Sequence, residues 1–163
     1  MRRVLPVILF VSLAGCGVQA QTISNKNVSN QTSDATPSLT AMNGRVYIAW
    51  LGKGNTQMNV MLTSDLGRSY SSHITSSASG YGPPSVANFS GRLFLAFRGM
   101  DSHLNVQKIL LDSSGNPHSF GSKVTSAESS DSPPMLISTG SALLITWRGK
   151  GGGELNVAQV AIR

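Results

Sequence analysis

Three runs of apolar residues stand out from a chain otherwise filled with Ser, Gly, Thr and Asn. They are Val46-Tyr47-Ile48-Ala49-Trp50-Leu51, Leu93-Phe94-Leu95-Ala96-Phe97 and Leu143-Leu144-Ile145-Thr146-Trp147. β-Branched, aliphatic and aromatic residues with little polar alternation predict strands buried on both faces. A proline precedes each run (Pro37, Pro84, Pro134), and an asparagine between apolar neighbours follows it (Asn59, Asn105, Asn156). The unit recurs every ~50 residues, a period typical of stacked repeats.

Within the first copy the pattern predicts four strands: A at Ser38 to Ala41, B at Arg45 to Leu51, C at Gln57 to Thr63 and D at Ser71 to Thr75. Asn43-Gly44 joins A to B as a hairpin turn, because both residues tolerate positive φ. In the later copies B falls at Arg92 to Arg98 and Ala142 to Arg148, and C at His103 to Leu110 and Glu154 to Val160. No helical period is convincing anywhere after the leader. Short strands repeated at this spacing imply an all-β fold, a β-propeller of three four-stranded blades spanning 26–163, with blades near 37–75, 84–125 and 134–162. Lys26-Asn27-Val28-Ser29 matches the fourth-strand stretches Ser72-His73-Ile74-Thr75 and Ser122-Lys123-Val124-Thr125, so it is expected to complete the third blade. Propellers typically have four to eight blades, and a three-blade arc exposes apolar end faces. The expected solution is a homodimer closing a six-bladed ring; a longer parent chain is the alternative.

The N-terminus reads as a targeting segment. Arg2 and Arg3 precede an apolar core from Val4 to Leu13, shorter than the roughly 20 residues of a membrane span. Residues 1–15 are the expected signal peptide and 16–25 a polar tether. Leu13-Ala14-Gly15-Cys16 resembles the bacterial lipobox, which implies lipidation of Cys16, a membrane anchor, and a place in the cell envelope. With no acidic retention residue at Gly17, the implied destination is the outer membrane. Cleavage after Ala20 as a plain secretory leader is the other reading. Cys16 is the only cysteine, which excludes an intrachain disulfide and a Cys-based metal site.

The formal net charge is +6, and about +4 once Arg2 and Arg3 are removed. The basic residues are scattered singly, whereas nucleic-acid binding needs a concentrated patch, so nucleic acid is not an expected partner. His73, His103 and His118 lack metal-ligand spacing, and neither a metal nor a cofactor is expected.

Candidate binding residues gather where strand B ends. Arg98 and Arg148 close that strand in copies two and three, where copy one has Leu51. Strand alternation places them on one face with Tyr81, Asp101, His103, Lys150 and Glu154. Arginine offers a fixed donor fork to hydroxyl-rich or acidic ligands, and an aromatic ring can stack on a sugar. Asn59, Asn105 and Asn156 occupy the same point of strand C although Asn disfavours strands. Each is either a buried amide bridging backbone groups or a ligand contact. Trp50, Phe97 and Trp147 are expected in the core, since each lies in a continuous apolar strand.

Thr63-Ser64-Asp65-Leu66-Gly67-Arg68-Ser69-Tyr70 resembles the Asp-box of bacterial sialidase-type (BNR-repeat) propellers. In that family the box is structural: Thr63, Asp65, Gly67 and Ser69 would shape the turn, and Tyr70 would pack between sheets. Asp112 to Phe120 departs from the pattern in spacing, and the third copy has no box. The Ala-Trp and Leu-Asn-Val phrases also resemble the repeats of bacterial propeller lectins. The resemblance implies a surface-anchored propeller that binds carbohydrate or another extracellular ligand. Catalysis is not expected, because no segment matches the arginine triad or Tyr–Glu pair of sialidases. A reduced sialidase-like glycosidase and a structural module of an envelope complex are the alternatives.

Overall fold

The computed structural model describes residues 23–162. The expected signal peptide, Cys16 and most of the tether lie outside the described residues. The described chain is all-β and antiparallel. Its strands are β1 (Ser38–Met42), β2 (Arg45–Leu51), β3 (Gln57–Thr63), β4 (Ser71–Phe89), β5 (Arg92–Gly99), β6 (His103–Leu111), β7 (Pro117–Ser129), β8 (Met135–Ser138), β9 (Leu143–Arg148) and β10 (Leu155–Gln159). The first seven follow one another as neighbours in a seven-stranded sheet, and β8, β9 and β10 form a three-stranded one.

The expected strands B and C are present in all three copies, with no end shifted by more than one residue. Asn43 and Gly44 turn with φ of 52° and 73°, as a tight hairpin requires. One boundary differs from the sequence expectation. Strand D of the first copy and strand A of the second are a single 19-residue strand, β4. Its first part pairs with β3 through Val60↔Ile74 and Asn59↔Thr75, and its second part pairs with β5 from Gly80↔Gly99 to Phe89↔Arg92. Gly80 permits this passage: a Cβ there would collide with Arg98 O and with the Phe97 ring. The chain is thus three consecutive units that share or abut their fourth strands: β1 to early β4, late β4 to β7, and β8 to β10.

The units stack through the strands buried on both faces. Leu93, Leu95 and Phe97 of β5 join Tyr47, Val60 and their neighbours in one apolar cluster between units one and two. Phe94 and Ala96, pointing the other way, join Leu143, Ile145 and Trp147 in a second cluster between units two and three. Trp50, Phe97 and Trp147 are buried, with 4%, 0% and 8% of their surface exposed, as their setting in apolar strands implied. Unit three turns its far face outward, leaving Met135, Ile137, Leu155 and Val157 exposed.

The expected strand at 26–29 is not formed within the chain. Antiparallel pairing needs a neighbouring edge, and the segment folds back on unit one instead. Asn27 Nδ2 donates to Gly67 O, 2.8 Å away, and to Arg68 O, while Lys53 N donates to Thr32 O over 3.4 Å.

Candidate functional site

The second strand of each unit delivers a side chain to the loop face, and in unit two that side chain is Arg98. Tyr81 lies directly opposite it on β4, just before a register shift that ends at Ser85. Gly82, at φ 71°, makes the turn, and it is pressed so closely on the Pro133 ring that a Cβ would not fit. Tyr81 therefore sits at the seam between units two and three, 45% exposed. The Arg98 guanidinium stands over its ring, 5.7 Å from the centroid, and Nη2 donates to Ser102 Oγ at 2.8 Å. A cation over an aromatic face contributes ~0.5–1 kcal/mol at such a site and holds both groups in register. Among the described residues, buried Arg98 Nε and buried His103 Nδ1 have no hydrogen-bond partner. Arg98 pairs with Leu104, so His103 lies on the other face of the sheet, and the exposed part of this cluster is the Tyr81 ring.

Arg148 does not join this cluster. It is exposed and lies against Gly153 of its own loop. The sequence placed Arg98, Arg148 and Tyr81 on one face, and the structure brings only Tyr81 and Arg98 into contact. Ser102, buried in the β5–β6 loop with φ 70°, was missed, because a serine among many gives no sequence signal.

Asn59 and Asn105 are buried and bonded within the chain, and Asn156 shares only part of their arrangement. Asn59 Nδ2 donates to Gln57 O at 3.0 Å, and its Oδ1 accepts from Thr75 Oγ1 at 2.7 Å and faces His73 Nε2 at 2.9 Å. Asn105 repeats this with His103 O at 3.1 Å and Thr125 Oγ1 at 2.7 Å. Asn156 Nδ2 donates to Glu154 O at 3.1 Å. Each amide lies against the glycine that ends or follows the second strand: a Cβ on Gly52, Gly99 or Gly149 would stand 2.9, 2.7 or 3.1 Å from the Nδ2. In all three units the amide thus clamps the loop before the third strand, and for the buried Asn59 and Asn105 both ends of the amide are spent within the chain.

The turn after β3 is built as its residue types suggest. Asp65 Oδ1 accepts from Thr63 Oγ1 and Ser69 N, both at 2.9 Å, and Oδ2 accepts from Ser69 Oγ at 2.6 Å. Gly67, at φ 86°, donates its N–H to Thr63 Oγ1. Tyr70 departs from expectation: it is half-buried beside Gly67 and belongs to neither apolar cluster. The turn after β6 performs the same task with different spacing. Asp112 Oδ1 accepts from Ser114 N and Asn116 N, Oδ2 accepts from Asn116 Nδ2, and Gly115 O accepts from Tyr47 Oη at 2.8 Å, tying unit two to unit one. Hydrogen bonds from Asn116 hold the Asp112 carboxyl below its ordinary pKa.

Among the described residues no group of three or more His, Cys, Asp or Glu side chains is placed to hold a metal ion. No helix among them is long and apolar enough to cross a membrane. No protein-family model matches the chain, and no curated protein matches it.

The Asp65 turn generates a pH prediction. Hydrogen bonds from the Ser69 side chain and backbone lower its pKa from 3.8 to about 2. A carboxyl depressed in the folded state stabilises fully above its unfolded pKa, and that stability is lost as pH falls through the folded value. The difference in unfolding free energy between the native chain and Asp65→Asn is expected to shrink as pH drops from about 4 to about 2. Carboxyl NMR titration of Asp65 should show a midpoint near 2; a midpoint near the ordinary 3.8 contradicts the geometry.

Proposed function

We propose that this chain is a surface-anchored, non-enzymatic β-propeller module that binds carbohydrate, its three units being blades of a ring. Two chains close the ring as a six-bladed homodimer, and a lipid on Cys16 holds it at the cell envelope, in the outer membrane. The observation that carries the ligand reading is Tyr81, exposed at a seam between units and backed by the Arg98 guanidinium. A sugar ring stacks on the tyrosine face, where its apolar C–H surface matches the aromatic ring. Arg98, always protonated, donates to ring hydroxyls or to a sugar carboxylate. In this reading the ligand is bound and released unchanged.

Glycan-array binding of the native protein, with no turnover of a fluorogenic sialoside, is the expected result. Tyr81→Ala and Arg98→Ala are each expected to weaken binding about tenfold or more, the loss of roughly 1.4 kcal/mol, with the unfolding midpoint little changed. Sialoside turnover would contradict the non-enzymatic reading, and undiminished binding by both variants would move the site elsewhere.

The anchor is tested separately. Cys16→Ser is expected to abolish labelling by a fatty-acid probe and to shift the protein out of the membrane fraction; unchanged labelling contradicts lipidation.

A further inference from the structure

Unit three differs from units one and two in what lies beyond its third strand. In units one and two the third strand pairs on its outer side with a fourth, β3 with β4 and β6 with β7. Among the described residues β10 pairs with β9 alone. Three further features mark the same vacancy. Asn59 and Asn105 each receive a threonine hydroxyl from the fourth strand, whereas Asn156 Oδ1 has no partner among the described residues. The buried indole Nε1 of Trp147 has no partner among the described residues. Beside it, a groove of about 920 Å³ runs between units two and three, lined by Phe94, Leu104, Val106, Val124 and Trp147.

The chain also carries a fourth-strand segment without a third strand to pair with. Ser33 and Ser130 bind their units identically. Ser33 Oγ donates to Leu51 O and Ala35 O, Ser130 Oγ to Arg148 O and Ser132 O, and each residue makes an isolated bridge to the glycine that follows, Gly52 or Gly149. Asp34 and Asp131, next in sequence, each accept a backbone N–H from the loop after the second strand. What precedes Ser130 is β7, the fourth strand of the preceding unit. What precedes Ser33 is 26–32. Asn30 and Thr32 flank a hollow at Trp50, as Ser126 and Glu128 flank the groove at Trp147. The segment already lies where a fourth strand lies, lacking only the unit before it, and Val28 is 73% exposed.

We infer that residues 26–32 of a second copy of this chain add to β10 as the missing fourth strand. The registers Asn105↔Thr125, Val106↔Val124 and Gln107↔Lys123 transfer to Asn156↔Ser29, Val157↔Val28 and Ala158↔Asn27 between copies. Ser29 Oγ then supplies Asn156 Oδ1 with its hydroxyl. The exposed face of unit three, Met135, Ile137, Leu155 and Val157, packs on the half-exposed face of the partner's unit one around Leu39 and Ile48. Two such exchanges between two chains cover both β10 edges and close the pair with two-fold symmetry. This rests on the ring reading above but not on the carbohydrate.

The test uses the full chain carrying Cys16→Ser, so that introduced thiols are the only ones. Opposed residues in an antiparallel pair have Cα atoms ~4.5–5.5 Å apart, within disulfide reach. Co-expressed Val28→Cys and Val157→Cys chains are expected to yield a disulfide-linked dimer on mild oxidation, and light scattering of the parent is expected to give the mass of two chains. Both positions are exposed, so the variants are expected to fold as the parent does. Linking no greater than that of Val157→Cys with Leu66→Cys, a folded monomer at micromolar concentration, or a mass growing beyond two chains would each overturn the inference. A linked dimer that binds no glycan would leave the donated strand standing and sink the carbohydrate reading; glycan binding by a monomer would do the reverse.

Discussion

Burial of β5 on both faces is the constraint from which the rest of the arrangement follows. A strand whose alternate residues are both apolar cannot lie at a surface, so Leu93, Leu95 and Phe97 require a sheet on one side, and Phe94 and Ala96 require another on the opposite side. Each unit therefore draws stability from its neighbours, and at ~25 cal/mol per Å² of apolar surface this face-to-face burial outweighs any single hydrogen bond. The same logic makes the two end faces of a three-unit stack a liability, since nothing within the described chain covers Ile137 or Val157.

Polar residues then fix the strand ends, and with them the position of the candidate site. Asn59 and Asn105 tie the third strand to the loop and to the fourth strand, while glycines at 52 and 99 make room for the amides. Ser33 and Ser130 peg the entering chain to the exit of the second strand. With these ends rigid, the kink at Gly82 presents Tyr81 outward against Arg98. A binding surface on such ends is preorganised, because the loops that bear it are short and clamped.

The apolar strands, the Asn43–Gly44 turn, the buried aromatics and the Asp65 turn were legible because each is set by local residue type. What escaped the sequence depends on tertiary partners. The continuity of β4 through Gly80 arises from close approach to β5, which a Ser-Ala-Ser-Gly stretch does not announce. The Asp112 turn reproduces the i to i+4 bonds of Asp65 with its glycine one place later, so a motif comparison registers only a departure from the pattern. Arg148 matches Arg98 in sequence, yet only Arg98 faces a tyrosine, since Tyr81 comes from the irregular passage between units. Segment 26–29 has the composition of a fourth strand, and composition cannot supply the edge it pairs with.

Hydrogen exchange read residue by residue tests most directly whether the units depend on their neighbours and the last unit on a second chain. Local opening reports on the burial and pairing around each amide. Amides of β5 should be the most protected at every concentration, and the outward-pointing amides of β10 should exchange fast in dilute solution and slow progressively as the protein is concentrated. Protection of β10 that does not change with concentration, or β5 amides that exchange as fast as those of β10, would contradict the account.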